Sequence, residues 1–285
     1  MIFVGTHHKA GTVLFAHIFS AVARWYSLNF FIGDQDALPL ETQVWFDGHS
    51  KIDRAAFTEI VGIHVVRHPL ELISSAYRYH LAGEEKWFST RESGKRFGLK
   101  GLSYRQNLSK LSVRDGILFE MRSFSAEKIM EMYKWDYQDT RFLNIKLEDV
   151  IANFDATLSR AFSFIGLDPS ESLAVARRFD INRLSQTRIA KMNHVTNKNG
   201  SLTWRHYFSD ADMIDQFSRM FPKDLLPKLG YSPLDPSPMG HPTPSRRYSL
   251  NIANQFSRSF TIENSRCIMQ RAARHLAGLR SRFIA

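Results

Sequence analysis

Apolar residues fall along the chain in two rhythms, short unbroken runs and longer stretches spaced by three and four. The run Ile2-Phe3-Val4, closed by Gly5, predicts a buried strand. After a polar stretch, residues 12–25 set Leu14, Ile18, Ala21 and Val22 along one side of a helix. Residues 43–46 predict a second, short strand. Residues 60–66 predict a third, whose run of Ile60, Val61, Ile63, Val65 and Val66 suits a strand covered on both faces. Pro69 stands where a helix can open, with Leu70, Ile73 and Tyr77 on one face.

Residues 81–135 mix glycine, serine and charge with helical patches such as 117–121. The pattern sharpens at Phe142-Leu143-Asn144-Ile145, a fourth strand, followed by a helix through Leu158, Ala161, Phe162 and Ile165 that Gly166 stops. Asp168-Pro169-Ser170-Glu171 reads as an N-cap with proline at the first helical position and an acid at the third. Ser209 and Asp212 open one more helix. Strands alternating with helices predict an α/β fold with a mostly parallel central sheet flanked by helices. In such folds ligands sit at the carboxyl ends of strands, so the residues that follow the strands carry the functional reading.

Two such segments stand out. Gly5-Thr6-His7-His8-Lys9-Ala10-Gly11-Thr12 joins the first strand to the first helix. Backbone N–H groups in such a turn, the positive end of the helix and the Lys9 charge together make an anion cradle. A nucleotide-triphosphatase loop needs Gly-Lys-Ser/Thr, and here the lysine precedes the glycine by two positions. The second segment is Val65-Val66-Arg67-His68-Pro69, where an arginine fork ends a strand, and Ser75 follows on the helix. Arg67 and Ser75 offer a phosphate donors from one side.

Both segments resemble the PAPS-dependent sulfotransferases, where PAPS is 3′-phosphoadenosine 5′-phosphosulfate. Lys-x-Gly-Thr resembles that family's 5′-phosphosulfate loop, and Arg67 with Ser75 eight residues on resembles its 3′-phosphate site. Two further stretches resemble the family: residues 142–149, where Leu147 replaces the usual tyrosine, and residues 197–205 with the later Leu229-Gly230-Tyr231, where Asn197 stands for the usual arginine. The resemblance implies a fold related to the phosphate-loop nucleotide-binding folds. It also implies sulfuryl transfer from PAPS to a hydroxyl-bearing acceptor, a carbohydrate or another small metabolite, by in-line displacement, leaving adenosine 3′,5′-bisphosphate and using no metal. It implies that Lys9, Ala10, Gly11, Thr12, Val13, Arg67, Ser75, Lys198, Asn199 and Gly200 hold the nucleotide, that Lys9 stabilises the leaving oxygen, and that His49, in Asp47-Gly48-His49-Ser50, is the base. His7 and His8 are rival bases, whereas His68 and His80 flank the phosphate helix. Residues 81–135 are expected to build the acceptor site, with Trp87, Phe88 and Tyr104 among them.

With 38 basic and 28 acidic residues, the net charge of +10 suits a polyanionic ligand, an anionic membrane face or a nucleic acid without choosing among them. The phosphate-ready loops favour a nucleotide over a nucleic acid. Cys267 is the lone cysteine, which excludes an intramolecular disulfide and a cysteine-rich zinc site. No basic leader with a separate apolar region precedes the first strand, so a cytoplasmic location is expected. Residues 1–232 are read as the catalytic domain, 233–248 as a proline-rich linker and 249–285 as a basic amphipathic helical extension suited to a membrane surface. Two other readings stay open on the sequence: an ATP-dependent kinase of the phosphate-loop class, and a non-enzymatic binder of polyanions or membranes.

Overall fold

The computed structural model describes residues 1–82, 85–184, 203–208 and 210–234. The tail from residue 235, most of the expected linker, and Lys198, Asn199 and Gly200 lie outside them.

Five strands, β1 (Ile2–Gly5), β2 (Phe30–Ile32), β3 (Val44–Asp47), β4 (Val61–Val66) and β5 (Phe142–Lys146), form one sheet in the order β2-β3-β1-β4-β5. Every pairing is parallel, with Gly5 of β1 level with Asp47 of β3 and His64 of β4. β1 is therefore the central strand. From it the chain runs through helix α1 (Thr12–Trp25) to the β2 edge, returns to β3, then crosses β1 to reach β4 and β5. The strand order reverses beside β1, the place where open parallel sheets leave a crevice at their carboxyl ends.

Alternation along the strands divides the core. Val4, Phe46, Ile63 and Ile145 face a layer built from α1 and three later helices, α7 (Leu147–Ala152), α8 (Phe154–Phe164) and α9 (Pro169–Ala176), through Phe15, Ile18, Phe19, Val150, Leu158 and Phe162. Phe3, Trp45 and Phe142 point the other way, against Ile60 and Trp135. Phe3 meets the Trp45 ring edge-on at 4.9 Å. A strand buried on both faces needs apolar residues at successive positions, which is why β1 and β4 read as continuous runs.

The second strand expected from the sequence is the third in the structure, shifted by one residue. The edge strand β2 precedes it, and its three residues are too few to show a rhythm. The cap on Pro169 is as expected: the Asp168 carboxylate accepts the Glu171 N–H at 2.8 Å, and Gly166 ends α8 with φ of 77°. The helix near residue 210 is capped by Asp210, and Ser209 lies outside the described residues. The Asp210 carboxylate accepts the Met213 N–H at 2.9 Å, starting α10 (Ala211–Met220).

The stretch that showed little pattern is helical. After α2 (Pro69–Ala82) come α3 (Arg91–Arg96), α4 (Tyr104–Lys110), α5 (Val113–Arg122) and α6 (Phe124–Lys134). Side-chain caps from Thr90, Ser103 and Ser112 start three of them. Of these, α4, α5 and α6 pack on α2, which blurs a single amphipathic period: α2 buries Glu71, Ser74 and His80 as well as its apolar face. Among the described residues no helix is long and apolar enough to cross a membrane.

Candidate active site at the carboxyl ends of β1 and β4

The loop between β1 and α1 is set by backbone geometry. Lys9 and Gly11 both take left-handed conformations, with φ of 65° and 88°. Glycine enters that region freely, whereas a lysine there is held by its surroundings at a cost of about 1–3 kcal/mol. Gly11 is the N-cap of α1. It brings no capping side chain, and the first turn holds no acid. The first-turn N–H groups, which lack intrahelical acceptors, and the positive helix end are therefore not answered by a carboxylate. Thr12 spends its hydroxyl inside the loop, donating to the His7 carbonyl at 3.0 Å and accepting from Thr6 at 3.0 Å.

A Cβ on Gly11 would lie 2.8 Å from Leu147 Cδ1, on top of the conformational strain. Gly11→Ala is expected to lower stability by about 1–2 kcal/mol for the left-handed backbone and by about 1–3 kcal/mol for crowding. Thermal unfolding reads this directly, and an unchanged midpoint would show that the loop does not need this shape.

Arg67, at the end of β4, joins the two segments that the sequence singled out. Its Nη1 donates to the Lys9 carbonyl at 2.8 Å, and its Nη2 lies 3.4 Å from Glu71 Oε2. The guanidinium is embedded: its side chain is 14% exposed and that of Glu71 is 4% exposed. Burial lowers the Arg67 pKa, and the opposing pulls of Glu148 and Glu71 restrain the shift. Both carboxylates are fixed by other segments. Glu71 Oε1 accepts the Trp204 N–H at 2.8 Å. Glu148 accepts the His68 N–H at 3.0 Å and the Tyr231 hydroxyl at 2.7 Å. His68 lies parallel to the Trp204 ring and edge-on to Tyr231, and burial beside Arg67 lowers its pKa to about 4, so it is neutral at pH 7. Four stretches of sequence meet at one arginine.

Lys9 points its Nζ over the Tyr79 ring, 3.6 Å from the centroid. Burial and the nearby charges of Arg67 and Arg78 lower its pKa to about 7. Among the described residues no carboxylate forms a salt bridge with it. Ser75 is half-buried on α2 and Arg78 follows three residues later, the spacing of neighbours on one helix face. Arg78 acts electrostatically on both Lys9 and Arg67. The sequence reading missed it, although its place one turn beyond Ser75 was the available signal. Ala10 is fully buried, whereas Val13 is exposed at 40% on the first turn of α1.

The histidines separate clearly. His49 is exposed, and among the described residues its ring has no hydrogen-bond partner; only its backbone N–H is held, by Asp47 at 2.6 Å. It lines a cavity of about 450 Å³ with His7, Lys51, Arg54, Glu131 and Trp135. His7 is 1% exposed and its Nε2 meets His64 Nε2 at 2.8 Å, with His64 Nδ1 on Asn144 Oδ1 at 3.0 Å. His8 is half-buried and its Nε2 meets His80 Nε2 at 3.1 Å, with His80 Nδ1 on Glu120 Oε2 at 2.8 Å. His80, expected only to flank the phosphate helix, is thus tied to the first loop. Tyr104, expected in the acceptor site, is fully buried and donates to Glu120. Among the described residues no three His, Cys, Asp or Glu side chains converge as a metal cage.

No family model matches the chain, and no curated protein matches it in sequence. The chain is similar in structure to mouse sulfotransferase SULT7A1 complexed with PAP, at 18% identity over 81% of this chain and 88% of that one, with a TM-score of 0.45. It is similar to retinol dehydratase in complex with androsterone and the inactive cofactor PAP, at 12% identity over 79% and 80% of the two chains, with a TM-score of 0.45. A third similar structure is the sulfotransferase domain from the curacin biosynthetic pathway, at 13% identity over 82% of this chain and 98% of that one, with a TM-score of 0.36.

Proposed function

We propose that the chain is a sulfotransferase that moves a sulfuryl group from PAPS to a hydroxyl-bearing acceptor. The observation that carries this reading is the hydrogen bond from Arg67 to the Lys9 carbonyl, which draws the two anion-ready loops together beside the strand-order reversal. Lys9, Arg67 and Arg78 lie within electrostatic reach of one another next to an uncapped helix start. Such a crowd of like charge is costly unless an anion answers it. Glu71 and Glu148 balance Arg67, whereas Lys9, crowded by Arg67 and Arg78 and, among the described residues, drawn only by Glu85, makes the site attractive to a ligand with several negative charges.

In this reading the α1 N-terminus and residues 9–13 hold the 5′-phosphate, and Arg67 with Ser75 and Arg78 hold the 3′-phosphate. Lys198, Asn199 and Gly200 complete that end on the evidence of the sequence alone. The donor supplies a sulfuryl group on a good leaving group, so the protein's part is positioning and charge stabilisation. Lys9 neutralises the charge that grows on the leaving oxygen. The acceptor's proton goes to an imidazole, His49 at the cavity rim or His8 beside Lys9, a choice that their hydrogen-bond partners decide.

Calorimetry with adenosine 3′,5′-bisphosphate in the absence of magnesium is expected to show saturable binding at micromolar ligand. Saturable magnesium-dependent heat with ATP and none with the bisphosphate would replace this reading by a kinase.

A further inference from the structure

Two chains of imidazoles leave the first loop in different directions. They are built alike up to their last member. His7 leads to His64 and ends on the amide of Asn144, whereas His8 leads to His80 and ends on the carboxylate of Glu120. We propose that His8 is the proton acceptor of the transfer reaction, with His80 and Glu120 as positioning residues that carry the proton's charge inward. This rests on the sulfuryl-transfer reading and names the base within it.

The tautomers follow from the partners. Glu120 accepts the Tyr104 hydroxyl at 2.8 Å through Oε2 and the Ser125 hydroxyl at 2.7 Å through Oε1, so it is an acceptor toward His80 as well. His80 therefore carries its proton on Nδ1, and its Nε2 is a lone pair. His8 must donate to that lone pair from Nε2–H, which leaves the lone pair of His8 on Nδ1. Among the described residues no protein group bonds to this Nδ1, and it is not a buried orphan. The His7 ring, by contrast, is 1% exposed and turns its Nδ1 toward the Glu131 carboxylate, 3.8 Å away.

The position suits the task. The His8 ring centre is 5.8 Å from the Tyr79 ring over which Lys9 Nζ sits, so the imidazole and the ammonium flank one ring. Phe124 at 4.9 Å and Phe88 at 6.4 Å wall His8 on other sides, which gives the acceptor an aromatic surround. The charged and titratable groups facing His8 are His80 from α2, Lys9 from its own loop, Lys128 from α6 and His49 from the β3 turn. All of them, and burial above all, oppose a positive charge on His8 and hold its pKa well below the ordinary histidine value.

A relay removes that obstacle. As the acceptor oxygen forms its bond to sulfur, the bond from sulfur to the bridging oxygen breaks and its electron pair leaves with the 5′-phosphate. The acceptor's proton passes to His8 Nδ1 while the His8 Nε2 proton passes to His80 Nε2. The charge comes to rest on a His80 imidazolium against the Glu120 carboxylate, one ring further from Lys9. The other chain ends inward on an amide, and its carboxylate, Glu131, stands 3.8 Å from the outer His7 ring, where it draws no charge inward; among the described residues the His49 ring has no hydrogen-bond partner to orient it.

The test uses the full chain. Nitrogen-15 imidazole spectra of the wild type near pH 7.5 are expected to show His8 protonated on Nε2 and bare on Nδ1, with His80 protonated on Nδ1. The reverse pattern at His8 overturns the proposal whatever the reaction. Transfer from radiolabelled PAPS to 2-naphthol, an aromatic alcohol probe, is expected to lose about 10²–10⁴ in kcat in Glu120→Gln with little change in KM for PAPS. Whichever way the new amide turns, no negative charge faces the imidazolium. Equal kcat in Glu120→Gln, or a loss confined to His49→Ala, overturns the relay and leaves sulfuryl transfer standing. Should Glu120→Gln fail to fold, His8→Ala at its half-buried loop position carries the same measurement. Wild-type protein that neither binds adenosine 3′,5′-bisphosphate nor transfers label to 2-naphthol or water overturns the transferase reading itself.

Discussion

Arg67→Ala is expected to lower the stability of the folded chain by about 3–5 kcal/mol, because it removes the embedded positive charge that two carboxylates face rather than merely a contact. Glu71 is almost fully buried and accepts the Trp204 N–H with Oε1, while Glu148 is held by His68 and Tyr231. Neither can turn to solvent without breaking those bonds. For a domain of this size a loss of 1 kcal/mol shifts the unfolding midpoint by about 2–4 °C, so a fall of roughly 6–20 °C is expected by calorimetry. Arg67→Ala with Glu71→Gln should recover part of it, since one of the two carboxylate charges is gone. A midpoint that moves by less than about 2 °C in the single variant, corresponding to under about 1 kcal/mol, would show that the arginine is solvated rather than embedded. Lysine is a poor substitute as well, because it cannot reach the Lys9 carbonyl and Glu71 together with a planar fork.

Nucleotide binding is expected to weaken as the pH rises from 6 to 9. Burial beside Arg67 and Arg78 lowers the Lys9 pKa to about 7, so the side chain of the free protein loses its proton in this window. A bound polyanion favours the ammonium and raises that pKa again. Between the two values, binding takes up a proton and affinity falls by about tenfold per pH unit. Calorimetry at pH 8 in two buffers of different ionisation enthalpy should report uptake approaching one proton, abolished in Lys9→Met. Binding that is level across this range would mean that Lys9 does not face the ligand. The same shift has the opposite sign for folding. The unfolded lysine holds its proton to about pH 10.5 and the folded one only to about 7, so the unfolded state binds more protons between them and folding stability rises with pH across that interval.

Much of the scaffold could be read from the chain because its signals are local. The runs in β1 and β4, the helix from Thr12 and the Asp168 cap each depend on a few neighbouring residues. The placing of Lys9 beside Arg67 followed from one further step, that loops after adjacent parallel strands meet. What escaped depends on partners far along the chain. His7 and His8 look like an adjacent pair, yet their ring partners lie 57 and 72 residues away, and which partner ends in an amide or an acid is visible only in three dimensions. Glu71 and Glu148 show the same limit, for acids in the first turns of two helices look like surface residues until both turn out to face one guanidinium. His49 presents the opposite case. Its position in the sequence nominated it, but an imidazole is oriented by its bonds, and its ring has none among the described residues.

Arg67 grips the main chain of Lys9 and not its side chain, so the identity of residue 9 and the posture of its loop are separable properties. With φ at 65°, asparagine or glycine would occupy the position at less strain than lysine does. A Lys9→Asn protein should thus keep the tether intact while lacking the charge. The same separation lets the chemistry of the loop drift during evolution without asking the sheet beneath it to change.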